Sequence, residues 1–214
     1  MSCVSSSRLG EDGRRLLELA SLCLNNEAYD VAEKCYAYIA GKGEENPFYS
    51  YARTGMLKAR FEDLRREFPP DTTALKDLQK DYEKTLAELG VNSETIGLMR
   101  QKANLEGYYL GDLQQANITL NEALDAPFPS ESLRAELKLD LAEILIAKNY
   151  IWDASLLASQ VDKDFKNTNI KTGDFRLIDL FSPPFSFDSK NVKSRVDDFP
   201  EGYPIKRQLI LVEK

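Results

Sequence analysis

Leu110-Gly-Asp-Leu-Gln-Gln-Ala-Asn-Ile-Thr-Leu120 joins a tight Gly-Asp turn to an apolar stripe at helical spacing. Two other stretches share its pattern: Glu27-Ala-Tyr-Asp-Val-Ala-Glu-Lys-Cys-Tyr36 and Asn149-Tyr-Ile-Trp-Asp-Ala-Ser-Leu-Leu-Ala158. Each has a turn, then an aromatic or aliphatic residue (Tyr29, Leu113, Ile151), then alanine three positions on (Ala32, Ala116, Ala154). The alanines are spaced by 84 and 38 residues. A divergent unit of about 42 residues therefore fits between the first two. Ala20 and Ala142 lie twelve positions before Ala32 and Ala154. Small side chains at both places let the two helices of a hairpin cross closely, while larger neighbours fill the groove to the next unit.

Working outward, residues 10–166 read as eight helices of roughly 13–20 residues joined by tight turns. The first carries Leu16, Leu19, Ala20 and Cys23, and Asn25-Asn-Glu-Ala breaks it. The second runs through Val31, Ala32, Cys35, Tyr36 and Ile39 to a stop at Gly41-Lys-Gly43. The third is expected from Asn46-Pro47 to Phe68, with Pro47 in its first turn and Pro69-Pro70 ending it. Asp71 or Thr72 can cap a fourth helix from Ala74 to Leu89, and Ser93 can cap the fifth. Later boundaries fall at Gly111-Asp112, Ala126-Pro127, Ser130 and Lys148-Asn149. Strict alternation is absent, so strands are not expected.

Composition narrows the function classes. The 214 residues include no histidine, which removes Ser-His-Asp, Cys-His and HExxH chemistry. Net charge is −7, against nucleic acid, whose affinity comes mostly from Lys/Arg neutralising phosphates. The acid is uneven: residues 1–167 hold 20 basic and 28 acidic groups, and residues 168–214 hold 8 and 7. No apolar run approaches the roughly 20 residues of a membrane span, and the first ten residues lack a signal-peptide pattern. With Met1 as the native start, a cytoplasmic chain is expected.

Cys3, Cys23 and Cys35 form no CxxC, so zinc is not expected and the thiols read as buried packing. Cys23 and Cys35 fall on neighbouring helices and could approach each other. Gly41-Lys-Gly43 lacks the first glycine and the Ser/Thr of a phosphate loop. Asp71-Thr-Thr-Ala-Leu-Lys-Asp77 lacks EF-hand spacing. Asn117-Ile-Thr119 fits a glycosylation sequon inside a repeat helix. The pairs Glu62/Asp63, Asp162/Asp164 and Asp197/Asp198 read as solvated helix faces. Trp152 reads more as a packing anchor between repeats than as an exposed ligand contact. No catalytic residue, cofactor or metal site is expected.

The small-residue pattern resembles the tetratricopeptide repeat (TPR), most clearly in Gly111-Asp-Leu-Gln-Gln-Ala116 with Leu120, Ala123-Leu124 and Pro127. More narrowly, Tyr36-Ala-Tyr-Ile-Ala-Gly-Lys-Gly43, Pro47-Phe-Tyr49, Tyr108-Tyr-Leu-Gly-Asp-Leu113 and Trp152–Asn167 are similar to a family of large bacterial multi-repeat TPR proteins. The resemblance covers about residues 10–167. It implies an interaction protein without known catalysis, of which this chain looks like an internal section. It also implies association with the cell envelope.

The expected architecture is all-α: a right-handed α-solenoid of about four TPR-like helix pairs over residues 10–167. A flexible N-terminus (1–9) precedes it and an irregular C-terminal tail (168–214) follows. That tail holds four of the nine prolines and five of the ten phenylalanines. It reads either as a divergent, partly disordered terminus or as a cap over the last helix pair through Phe181, Phe185, Phe187 and Phe199. Leu209-Ile-Leu-Val212 suits a short strand or an apolar plug.

Registering the repeats on their alanines places a concave face on the first helix of each pair. Arg14, Leu17, Ser21 and Leu24 come from the first unit, and Leu98, Gln101, Leu105 and Tyr108 from the third. The fourth gives Glu136, Leu139, Glu143 and Ile146; the second cannot be registered. Apolar and polar groups at one-turn spacing suit an extended peptide or a partner helix. The functional expectation is a non-enzymatic protein-interaction scaffold. The alternative is a structural segment that self-associates through its end repeats, without a groove ligand. A histidine-free enzyme using carboxylates is the third reading. Neither nucleic acid nor membrane insertion is expected.

Overall fold

The computed structural model describes residues 3–66 and 69–165. The readings made for residues 168–214 lie outside them. The chain is all-α, with α1 (Cys3–Asn25), α2 (Tyr29–Ala40), α3 (Tyr49–Leu64), α4 (Thr72–Leu89), α5 (Ile96–Asn104), α6 (Leu113–Asp125), α7 (Glu131–Ala147) and α8 (Ile151–Phe165). A π-helical segment, Leu105–Tyr109, continues α5. No strand occurs among the described residues.

Four boundaries differ from expectation. Helix α1 begins at Cys3, within the stretch read as a flexible N-terminus; no proline precedes residue 47 to stop it. Helix α3 begins after Phe48, leaving Pro47 outside, because Asn46 Oδ1 accepts from Phe48 N at 3.0 Å and organises the turn. It ends at Leu64, four residues before Phe68. Ahead of α5, Asn92 rather than Ser93 supplies the acceptor: its Oδ1 takes Glu94 N and Thr95 N at 2.8 and 3.1 Å. Asp71 caps α4 as expected, accepting from Thr73 N and Ala74 N.

The fold divides into two compact units, Met1–Leu98 and Met99–Lys214. In the first, α1 packs on α2, α2 on α3 and α3 on α4. Ala20, Ala32, Ala52 and Ala59 share one core cluster with Tyr36 and Ile39. Helices α2 and α3 come together where Gly55 meets the Tyr36 ring; a Cβ there would lie 2.6 Å from it. Arg66 clamps the α1–α2 turn, donating to Glu27 O at 3.1 Å, pairing with the Glu27 carboxylate and stacking over Tyr29.

In the second unit the π segment packs on α6, α6 on α7 and α7 on α8. Ala103, Ala116, Ala142 and Ala154 are all fully buried. Lys102, Glu106 and Thr119 form a buried polar cluster, with Lys102 Nζ 2.7 Å from Glu106 Oε1 and Thr119 Oγ1 donating to Glu106 Oε2 at 2.8 Å. Two charges can be held out of water here because each finds the other together with a hydroxyl.

One turn geometry recurs three times. A residue with positive φ (Glu27 61°, Gly111 72°, Asn149 66°) sits five positions before Ala32, Ala116 and Ala154. The following helix begins at Tyr29, Leu113 or Ile151, three positions before the same alanine. The alanine N–H then closes the first turn onto Ala28, Asp112 or Tyr150 O at 3.0–3.1 Å. Glycine and asparagine tolerate the left-handed region at little cost; Glu27 does not, and its turn is the one clamped by Arg66. No described helix is long and apolar enough to cross a membrane.

Candidate functional site

The feature that arranges the site is the π segment, which inserts one extra residue into the first helix of its pair. Ala20 and Ala142 stand twelve residues before their partner alanines, whereas Ala103 stands thirteen before Ala116. The turn hydrogen bonds show the same step. Ala28 N and Tyr150 N reach back five residues, to Cys23 O and Leu145 O, while Asp112 N reaches back six, to Glu106 O. One residue turns a helix by about 100°. Upstream of the insertion, Arg100 and Asn104 therefore occupy the positions for which Gln101 and Leu105 were expected.

Arg100 spans from α5 to α7. Its Nε lies 2.6 Å from Asp140 Oδ2, its Nη2 donates to Asp140 Oδ1 at 3.2 Å, and its Nη1 pairs with Glu136. One turn on, Asn104 hydrogen-bonds Asp140, and its buried Oδ1 has no donor. Tyr108 Oη donates to Glu143 Oε2 at 2.5 Å. The result is a polar strip of one guanidinium, a carboxamide, a phenol and three carboxylates on the first helices of the two pairs in this unit. Burial pushes the Asp140 carboxyl above its ordinary value, although the Arg100 guanidinium pulls the other way. For Arg100, burial pulls the pKa down, but Asp140 and Glu136 together outweigh it and the net shift is upward.

Leu105 is fully buried because the inserted residue turns it inward, and Ile146 is buried because α7 is enclosed by both α6 and α8. Neither lies on an accessible face, and Leu98 is buried as well. Leu139 is half-buried against Ala135 and Val161. Gln101, Tyr108, Glu136 and Glu143 are partly accessible. In the first unit, Leu17 and Leu24 pack half-buried against the α1–α2 core, while Arg14 and Ser21 are exposed. The Ser21 and Tyr36 hydroxyls are 3.4 Å apart. Arg100, Asn104 and Asp140 were missed by the sequence reading. Their signal was the thirteen-residue alanine spacing, with Gly107 inside the helix. A Cβ at Gly107 would lie 2.5 Å from Ile144 Cδ1 and 3.2 Å from Ala116 Cβ, so any side chain there requires Ile144 to move.

Cys23 and Cys35 are free and half-buried in the α1–α2 cluster. With Ala20 opposite Ala32 in an antiparallel hairpin, Cys23 lies toward the turn and Cys35 away from it. Their offset is about 9 Å along the axis, beyond the Cα separation of a disulfide. Burial also pushes the Cys35 thiol up, away from the reactive thiolate. Among the described residues, no group of three or more His, Cys, Asp or Glu is placed to hold a metal ion. Trp152 is 80% exposed on α8, where burial as an anchor between repeats was expected. No protein-family model matches the chain, and no curated protein matches it.

Proposed function

We propose that this chain is a non-enzymatic protein-interaction scaffold built from TPR-like helix pairs stacked as a right-handed α-solenoid. In this reading a peptide or helical segment lies along the first helices of the pairs. The observation that carries it is the threefold recurrence of one hairpin, with positive φ five residues before a buried alanine and a second small residue twelve or thirteen residues before it. Packing between consecutive helices within each unit supports the stacked arrangement. The strip formed by Arg100, Tyr108, Glu136 and Glu143 supplies polar groups at one-turn intervals, and Leu139 adds an apolar one. Such a face reads an extended segment through side-chain hydrogen bonds and small apolar contacts.

Panning a displayed random-peptide library against the full chain tests this proposal. Enriched peptides should lose at least about tenfold in affinity to a Glu136→Lys/Glu143→Lys variant, as expected for charged contacts across an interface, while helix content by circular dichroism stays unchanged. Enriched peptides that bind the variant equally well would remove the groove from the proposal.

A second reading, self-association through end repeats, is favoured by the exposed apolar groups Leu19 and Leu22 on α1 and Leu156 on α8. Sedimentation velocity across a concentration series separates the two. A reversible dimer abolished by Leu22→Glu or Leu156→Glu supports self-association.

A further inference from the structure

Residues 99–165 hold 6 basic and 11 acidic groups, and the imbalance reaches the polar strip itself. The cations of the neighbouring turns are engaged elsewhere. Lys102 is buried against Glu106, and Lys138 pairs with Asp164 on α8. Arg134 donates to the Leu124 and Ala126 carbonyls at the end of α6. Among the described residues, Arg100 is the cation that meets both Glu136 and Asp140.

Arg100 divides its donors unequally. Nε and Nη2 go to the two Asp140 oxygens, and Nη1 takes one oxygen of Glu136, Oε2. The Glu136 side chain stays 34% exposed, so Oε1 is left to another donor. Asn104 adds to the surplus of acceptors: it hydrogen-bonds Asp140, yet its own Oδ1 is buried without a donor. Negative charge exceeds positive by one here. The upward shift of the Asp140 carboxyl agrees, since the guanidinium opposes its burial without cancelling it.

We propose that the segment received along the first helices of this unit carries a lysine whose ammonium pairs with Glu136 beside Arg100. This rests on the peptide-binding reading above and names the chemistry its partner must bring. A second cation turns one guanidinium between two carboxylates into a balanced network of two and two. The desolvation of the incoming charge is then offset by a carboxylate that the fold already holds partly out of water. Lysine fits better than arginine because one carboxylate oxygen is open. A point-charge ammonium needs a single acceptor, whereas a planar guanidinium fork is matched by two. The five surplus negative charges of residues 99–165 draw a basic segment in and disfavour an acidic one.

The test pans a displayed random-peptide library against the full chain. Enriched peptides should share a lysine at one fixed position and bind more weakly as salt is raised. Synthetic copies are acetylated at the N-terminus, so that the side chain supplies the ammonium. Replacing that lysine by norleucine should lower affinity about fivefold, the scale of a partly exposed ion pair, and arginine there should bind about threefold more weakly than lysine. Glu136→Gln keeps the Arg100–Asp140 pair and should cost the same factor as norleucine. Combined, the two changes should cost no more than either alone. Glu131→Gln removes an equal charge from the exposed start of α7 and should leave binding unchanged. Enriched peptides without a shared lysine, or a norleucine loss that persists in full in Glu136→Gln, would overturn the lysine assignment and leave the groove standing. If no peptide is enriched, the peptide-binding reading falls and the lysine with it.

Discussion

Replacing Arg100 with methionine tests the central pairing of the candidate site. The Asp140 side chain is 13% exposed and that of Arg100 is 30% exposed. Removing the arginine strands a desolvated carboxylate with only the Asn104 amide beside it. Breaking a buried pair from one side costs about 3–5 kcal/mol; because Arg100 is itself partly solvated, the lower end, about 3 kcal/mol, is expected. For a chain of this size that lowers Tm by about 6–12 °C. Asp140→Leu should cost only about 1 kcal/mol, since Arg100 keeps Glu136 and some water. The double variant should return to within about 1 kcal/mol of the parent, giving a coupling of about 3–4 kcal/mol.

The same variant carries a pH signature. Burial raises the Asp140 pKa in the folded state and Arg100 opposes it. A carboxyl whose folded pKa is raised contributes stability that is complete below its ordinary value of 3.8 and is lost as pH rises through the folded value. Without Arg100 the burial effect is unopposed and the folded pKa climbs further. The cost of Arg100→Met is therefore largest near pH 7 and shrinks toward about pH 4. Hydrogen exchange read by mass spectrometry localises the effect: peptides from α5 and α7 should lose protection while those from α2 do not. A cost below about 0.5 kcal/mol at pH 7, or one that grows on acidification, would refute the pairing as the source of stability.

Two further substitutions probe the packing and the caps. At Gly107 the obstacle to alanine is the flexible end of Ile144, whereas at Gly55 it is the ring of Tyr36. Gly107→Ala should therefore cost about 1–2 kcal/mol and be largely relieved by Ile144→Val, while Gly55→Ala costs about 2–3 kcal/mol and finds no comparable relief, both read by urea denaturation. Asp71→Ala removes the acceptor for Thr73 N and Ala74 N, and should cost about 1 kcal/mol, seen as faster amide exchange in the first turn of α4.

The helices and their hairpins were largely legible in the chain itself, because local rules set them. Ala20 and Ala32, and Ala142 and Ala154, were paired from spacing and are all fully buried. Tyr29, Leu113 and Ile151 each begin a second helix. Asp71 caps where a carboxylate should. Such features depend on periodicity, turn conformation and side-chain size within a dozen residues. The register of the third first-helix did not follow, since it depends on one residue inserted between Ala103 and Ala116. An apolar stripe read at 3.6 residues per turn passes over that residue without a break.

Only the tertiary structure decided which residues share a face. The twelve-residue alanine register points to Gln101 and Leu105, yet the π segment places Arg100 and Asn104 against α7. The insertion is tolerated because Gly107 has no side chain to collide with Ile144 and Ala116, and because Glu106 finds Lys102 and Thr119 inside the unit. Sequence by itself determined that this chain forms close-packed helical hairpins with small residues at their crossings. The polar strip required the register and packing of α5, the π segment and α7 together, since a buried charge keeps its place only where a partner from another element meets it.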